Sequence, residues 1–232
     1  WRAIFLWLPS VAIVVALSTE INLSAHPWAN REFNQIERLL TESRIIVGYL
    51  MQLCLPQIEG YGLFRDGYLM SKDITTPITT LYSIITLFIL IIGAFFIRNK
   101  MPLISMAILF FFAAHLMEST IVGLELYFEH RNYLAAIFIF LPLVLALYAL
   151  TEYIKPSVIV FIMILILSFL SLLTYQRAVL WSDDIRLMLY WAQNSPKSAR
   201  AQSVRAAVLA KDGQFDLAQE TLEKAIQNIP ND

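Results

Sequence analysis

Five stretches of this chain, residues 3–18, 78–97, 102–117, 133–150 and 158–174, run on without a single Asp, Glu, Lys or Arg. About 20 apolar residues carry a helix across the hydrocarbon of a bilayer, so these runs constrain the fold more than anything else in the sequence. They predict an all-α, polytopic helical membrane domain of four to five spans, in which the short first and third runs draw on flanking residues. Composition agrees: the 232 residues are 58% hydrophobic, 13% aromatic and only 15% charged, with a mean hydropathy of +0.63. That is more apolar surface than a soluble core of this length absorbs. A sixth apolar piece, residues 45–56, is too short to span and reads as a re-entrant or interface-lying helix.

Loop charges orient the spans. Arg98 and Lys100 lie between the second and third, and Lys155 lies between the fourth and fifth. Short loops rich in Lys and Arg stay cytoplasmic, which puts three other parts on the opposite face: residues 19–77, the connection ELYFEHRNYL from Glu125 to Leu134, and everything after Thr174. In a bacterial inner membrane that face is periplasmic. The chain opens on Trp1 with an apolar run and almost no flank, unlike the basic n-region and small-residue cleavage site of a signal peptide. It therefore reads as the C-terminal portion of a longer polypeptide.

Beyond residue 176 the composition turns charged and Ala-rich, which divides the chain into a membrane domain, 1–176, and a helical segment, 177–232. In that segment AQNSP from Ala192 recurs as IQNIP from Ile226, with three identities at a shift of 34 residues. Thirty-four is the period of the tetratricopeptide repeat, a helical hairpin that buries its faces against neighbouring copies. Gly213 falls in the expected inter-helix turn. Phe215, Ala218, Leu222, Ala225 and Pro230 then follow the small, large and terminating positions of the second helix. An ordinary amphipathic hairpin is the plainer alternative.

A net charge of −1 argues against a nucleic-acid surface, which needs an excess of cations to neutralise phosphates. One cysteine, Cys54, allows no intrachain disulfide, and the three histidines are scattered, so no Cys/His metal pattern is present and no divalent metal is indicated. Walker, Rossmann, zinc-protease and hydrolase-elbow signatures are missing from the sequence.

The chemical candidates are charges placed beside apolar spans, where they are costly and therefore mark functional sites. The stretch HLMESTIVGLELYFEHRNYL holds most of them. If it is helical, Glu118, Glu125 and Glu129 share one face. Arg131 is suited to a phosphate or carboxylate, because its guanidinium offers paired donors and stays charged. The His130 imidazole can shuttle a proton or donate to a phosphate oxygen, with Glu129 orienting it or accepting from a hydroxyl. An ion pair between Glu129 and Arg131 that merely closes a loop is the structural alternative. A second cluster holds Arg44, then Arg65 and Asp66 in a turn bracketed by Gly60, Gly62 and Gly67. These basic residues face an anionic lipid or simply contact headgroups. Trp28 and Tyr153 read as interface anchors, and His115 as either a hydrogen-bonded core residue or a ligand.

NREFNQIERLLTESRIIVGYLMQLCLP, GLFRD, HLMESTIVGLELYFEHRNYL and WSDDIRLMLYWAQNSPKSARA, in that order, resemble the C-terminal half of bacterial membrane proteins similar to the transmembrane and tetratricopeptide-repeat O-mannosyltransferases. ERLLTESR and FEHRNYL are the most specific parts, and Ala135 stands where that family has proline. The resemblance implies a C-type glycosyltransferase that takes a sugar from a polyprenyl-phosphate carrier on the non-cytoplasmic face. The sugar passes to an acceptor such as a protein Ser or Thr, which the repeats would present. It also implies an acidic catalytic residue in an upstream loop. Within this chain Glu129 and His130 are the catalytic candidates, and by position the resemblance assigns Arg131 and His130 to the carrier phosphate, with Arg44 and Arg65 as weaker candidates. Arg131, Glu125, Glu118, Tyr133, Arg44, Arg65 and Asp66 are the substrate-binding ones. Two other functions fit the same pattern: a non-enzymatic, membrane-anchored repeat scaffold for envelope or pilus assembly, and a ligase or polymerase of lipid-linked glycans.

Overall fold

The computed structural model describes residues 8–19, 33–56, 68–116, 119 and 126–228. Among them the chain is helical, with ten α-helices and no strand. Three helical stretches are long and apolar enough to cross a membrane: Thr79–Ile97, Glu129–Leu150 and Pro156–Trp181. The other two apolar runs form shorter helices, α1 (Leu8–Thr19) and α4 (Pro102–His115). At 1.5 Å per residue, α4 extends about 21 Å against roughly 30 Å of hydrocarbon.

The chain divides into two compact units, residues 1–53 with 70–149, and residues 54–69 with 150–232. In the first, α2 (Gln35–Cys54) is the central polar element. A reciprocal capping box starts it: Asn34 Oδ1 accepts from the Glu37 amide at 2.9 Å, and Glu37 Oε2 accepts from the Asn34 amide at 3.0 Å. The apolar piece expected at 45–56 is thus only the second half of a helix that begins ten residues earlier. Its charged first half is helical because Arg38, Thr41, Glu42, Ile45 and Tyr49, at spacings of three and four, form one buried face.

Residues 71–80 dock on α2 by hydrogen bonds. The Ser71 amide donates to Thr41 Oγ1 at 2.9 Å, the Ser71 and Thr80 hydroxyls lie 2.8 Å apart, and Lys72 Nζ reaches Glu37 Oε1 at 3.1 Å. α3 (Thr79–Ile97) then turns at Arg98–Lys100 into α4, which starts with Pro102 in its first turn, where a missing N–H costs nothing. The two pack through small residues. Ala94 and Ala107 are buried, and Ser105 Oγ donates to the Ala94 carbonyl at 2.8 Å. Outward, Phe88, Ile89, Phe95 and Phe96 are exposed, as suits a helix solvated by lipid. After Phe128, whose backbone is extended, come a 3-10 turn at Glu129–Arg131, α5 (Asn132–Ala135), a second 3-10 turn and α6 (Leu141–Leu150). Phe110 of α4 meets Phe138 edge to face at 4.9 Å.

In the second unit α7 (Pro156–Trp181) is a 26-residue apolar helix, unbroken across residues 176 and 177, where the composition changes. Three short helices follow: α8 (Asp184–Asn194), α9 (Ala199–Lys211) and α10 (Phe215–Asn228). Asp183 and Ser198 cap α8 and α9 by accepting from Arg186 and Ala201 amides, each at 3.0 Å. Gly213, at φ +79°, ends α9. The Gln214 amide donates to the Leu209 carbonyl and the Gly213 amide to that of Ala210, the two bonds of a Schellman motif. Gln202 Nε2 donates to the Ala192 carbonyl in the last turn of α8 and to that of Ser195 just after it, at 2.8 and 3.1 Å. Ala201, Ala206 and Ala218 are buried, while Phe215 and Ile226 are exposed, leaving an apolar stripe along α10.

Candidate functional site

The two most specific stretches of the sequence, ERLLTESR and FEHRNYL, meet in the first unit. Tyr49, two turns beyond Glu42 on the buried face of α2, joins them. Its hydroxyl donates to the Phe128 carbonyl at 2.7 Å and accepts from the Phe128 amide at 2.9 Å. One side chain therefore satisfies both polar groups of the extended residue that sets the following turn. Gln52 Nε2 donates to Tyr127 Oη at 2.6 Å. Tyr49 also packs against Tyr127 and stacks on His115, at 5.1 and 5.5 Å between ring centroids. His115 is buried at the end of α4, with its Nδ1 2.9 Å from the Phe111 carbonyl.

Two and three turns before Tyr49 lie Glu42 and Arg38, with side chains 1% and 0% exposed and Arg38 Nη2 3.0 Å from Glu42 Oε1. The contact is an ion pair without hydrogen-bond alignment: neither Glu42 oxygen has a hydrogen-bond partner among the described residues, nor do Ser119 Oγ and Asn132 Oδ1. Burial pushes the Glu42 carboxyl up to about 7, against the opposing pull of Arg38, then Arg131, then the neighbouring Ser119 hydroxyl. Desolvation wins because the cations reach the carboxylate without the aligned hydrogen bonds that would hold its charged form. Burial likewise raises the Tyr49 phenol, so it stays protonated and keeps donating to Phe128. Four charges keep α2 out of the set of helices apolar enough to span.

Of the expected site residues, Arg131 is half-buried in this cluster. Its Nη1 donates to the Leu126 carbonyl at 3.4 Å, and its guanidinium lies 5.5 Å from the centre of the Phe128 ring. Glu129 shares its 3-10 turn, half-buried, and His130 is exposed with its ring 5.1 Å from that of Phe128. Tyr133 is exposed. Arg44, on another side of α2, donates to Ser71 Oγ at 3.4 Å and so belongs to the docking of residues 71–80. Glu118, Glu125, Arg65 and Asp66 lie outside the described residues, as does Trp28. The single helical face proposed for the three glutamates does not continue to Glu129, because residues 126–128 are not helical.

Sequence reasoning passed over Arg38, Glu42 and Tyr49, although the signal was present. Asn34 and Glu37 announce a helix start, and positions 38, 42, 45 and 49 then repeat at helical spacing, so the charges lie on the same face as Ile45 and Tyr49. Such a cluster can hold an anion through Arg131, donate and accept hydrogen bonds at Asn132 and Ser119, and store a proton on Glu42. In the second unit a cavity of about 260 Å³ lies between α9 and α10, with Leu209 and Leu217 among its apolar lining and Arg205, Glu220 and Lys224 among its polar lining. No group of His, Cys, Asp and Glu among the described residues is arranged to hold a metal.

Comparison of the chain with protein-family models, with characterised proteins and with solved structures finds no match.

Proposed function

We propose that the protein is a membrane glycosyltransferase of the C type. It moves a sugar from a polyprenyl-phosphate carrier to a Ser or Thr hydroxyl of a protein, on the non-cytoplasmic face of a bacterial inner membrane. Four to five spans hold the transfer site, and α8 to α10 form repeat-like hairpins that present the acceptor.

The observation that supports this reading is the convergence of Arg131, Arg38, Glu42, Ser119 and Asn132 beside an apolar helical stretch. A lipid-linked phosphate brings a doubly demanding headgroup to such a boundary: an anion for the guanidinium and sugar hydroxyls for buried oxygens. In the transfer, the acceptor oxygen bonds to the anomeric carbon as the bond from that carbon to the phosphate oxygen breaks. The electron pair leaves on the phosphate, and Arg131 stabilises the charge that grows there. The hydroxyl proton passes to the Glu129–His130 turn. Arg38 and Glu42 act indirectly, through the electrostatic setting they share with Arg131. The cavity between α9 and α10, with cationic and apolar walls, supports the reading that those helices take up a peptide segment.

Replacing Arg131 with Ala and Glu129 with Gln in the reconstituted protein, and following sugar transfer from a polyprenyl-phosphate donor to a Ser/Thr-containing protein, tests the assignment. Each variant is expected to lose at least tenfold in rate. Full activity in both removes these residues from the site, and modification of a glycan instead of a protein replaces this reading with that of a lipid-linked glycan ligase.

A further inference from the structure

α8 carries more apolar surface than its packing consumes. Leu187 and Trp191 are buried and account for one side, and α9 reaches the C-terminal end of α8, where Ala192 is buried and its carbonyl accepts from Gln202. A second stripe, formed by Ile185 (54% exposed), Met188 (38% exposed) and the half-buried Leu189, is not covered. These are positions i, i+3 and i+4 of a helix, adjacent on its surface.

The position of the stripe identifies its solvent. α7 is about 39 Å long for its 26 residues, some 9 Å more than the hydrocarbon needs. Its last two turns hold Tyr175, Arg177 and Trp181, the aromatic and basic residues favoured where lipid meets water. In an unbroken helix the Cα atoms of Trp181 and Trp191 would stand about 15 Å apart. Here the two indoles meet edge to face, 5.3 Å between ring centroids. α8 therefore turns back across the end of α7 instead of continuing away from it. Asp183 fixes the turn by capping α8.

We propose that α8 lies flat in the headgroup layer at the end of α7, with Ile185, Met188 and Leu189 inserted among the acyl chains, so that α9 and α10 are held at the bilayer surface. Arg186 is exposed beside the stripe, where its long side chain reaches anionic headgroups while its stem stays against apolar surface. A protein partner suits the stripe less well. Three side chains on an eleven-residue helix fall far short of the roughly 800 Å² per partner that a stable interface buries. The proposal rests on α7 crossing the membrane, and it is independent of the transfer chemistry.

Depth measurement on the full chain in vesicles of phosphatidylethanolamine and phosphatidylglycerol tests it. In a Cys54→Ser background, which removes the exposed free thiol, nitroxides are placed singly by Ile185→Cys and Met188→Cys, with Lys211→Cys on exposed α9 surface and Leu165→Cys within α7 as references. Labels at 185 and 188 are expected to collide with dissolved oxygen several-fold more, and with a water-soluble nickel chelate several-fold less, than the label at 211. The label at 165 is expected to lie deeper still. Nickel accessibility at 185 and 188 equal to that at 211 overturns the proposal. So does protection from both reagents, which means that protein covers the stripe, or a water-exposed label at 165. Unlabelled protein gives an independent reading. Lipids brominated near the headgroup are expected to quench tryptophan emission, with a smaller effect in Trp181→Phe, and an unchanged effect contradicts the placement.

Discussion

Around α2 the charges and hydroxyls are inside and the large apolar side chains of the neighbouring helices are outside. In α9 and α10 the arrangement is reversed, with Ala201, Ala206 and Ala218 inside and Lys211, Lys224 and Glu223 outside. The difference shows two solvents acting on one chain. Beside helices solvated by lipid, apolar burial contributes little, so cohesion falls to small-residue contacts such as Ala94 with Ser105 and, at the polar element they flank, to hydrogen bonds such as those of Ser71 and Tyr49. Where water is the solvent, burial of apolar area does the work and the polar groups are spent on caps. A polar group in the first region is consequently worth more than one in the second, and substitutions can break or sharpen that contrast.

The largest effect is expected at the buried ion pair. Above pH 7, where the Glu42 carboxyl is ionised, Arg38→Ala leaves it without its nearest countercharge, and a lost partner in a buried pair costs about 3–5 kcal/mol. Chemical denaturation in detergent micelles is expected to show it. Arg38→Met with Glu42→Leu is expected to recover most of the loss, because it removes both charges. A single substitution as mild as one at an exposed pair would break the contrast.

Glu42 also sets a pH dependence. Its carboxyl sits at about 7 in the folded protein against 4.5 ordinarily, so the folded state holds this proton more tightly than the unfolded chain does. Its contribution is most favourable below 4.5 and is lost as the pH rises to about 7, by on the order of 3 kcal/mol. Unfolding of the wild type is expected to become easier across that window, and Glu42→Gln is expected to flatten this part of the profile. An unchanged slope in Glu42→Gln would assign the titration elsewhere.

Next is Tyr49→Phe, which keeps the stacking on His115 but leaves both polar groups of Phe128 without the hydroxyl. About 2 kcal/mol of stability is expected to go, together with the setting of the Glu129–Arg131 turn, read as weaker binding of the carrier. The smallest effects belong to the water-solvated helices. Gly213→Ala meets open space but must hold φ at +79°, a cost of about 1 kcal/mol, and is expected to leave carrier binding unchanged.

The sequence disclosed most of the membrane helices, because a run of apolar residues is a signal that needs no partner to interpret. It disclosed the α9–α10 turn through Gly213 for the same reason: only the local backbone is involved. It did not disclose the length of α2. Its first half is charged, and charge read as loop until the 38, 42, 45, 49 spacing is set against a partner surface. Arg44 shows the converse. Nothing local distinguishes it from Arg38, yet Arg38 faces the cluster and Arg44 serves Ser71. Arg131 and Glu129 were legible as a motif, whereas Tyr49, which fixes their turn from 79 residues away, was not.

The central claim is that Arg131 holds a lipid-linked phosphate in the cluster built on α2. Native mass spectrometry of the full chain with added polyprenyl phosphate, comparing wild type with Arg131→Ala and with Tyr153→Phe as an exposed reference away from the motif, addresses it most directly. Retention of one lipid by the wild type and by Tyr153→Phe, and at least tenfold weaker retention by Arg131→Ala, is the predicted result. Equal retention by all three would contradict the account.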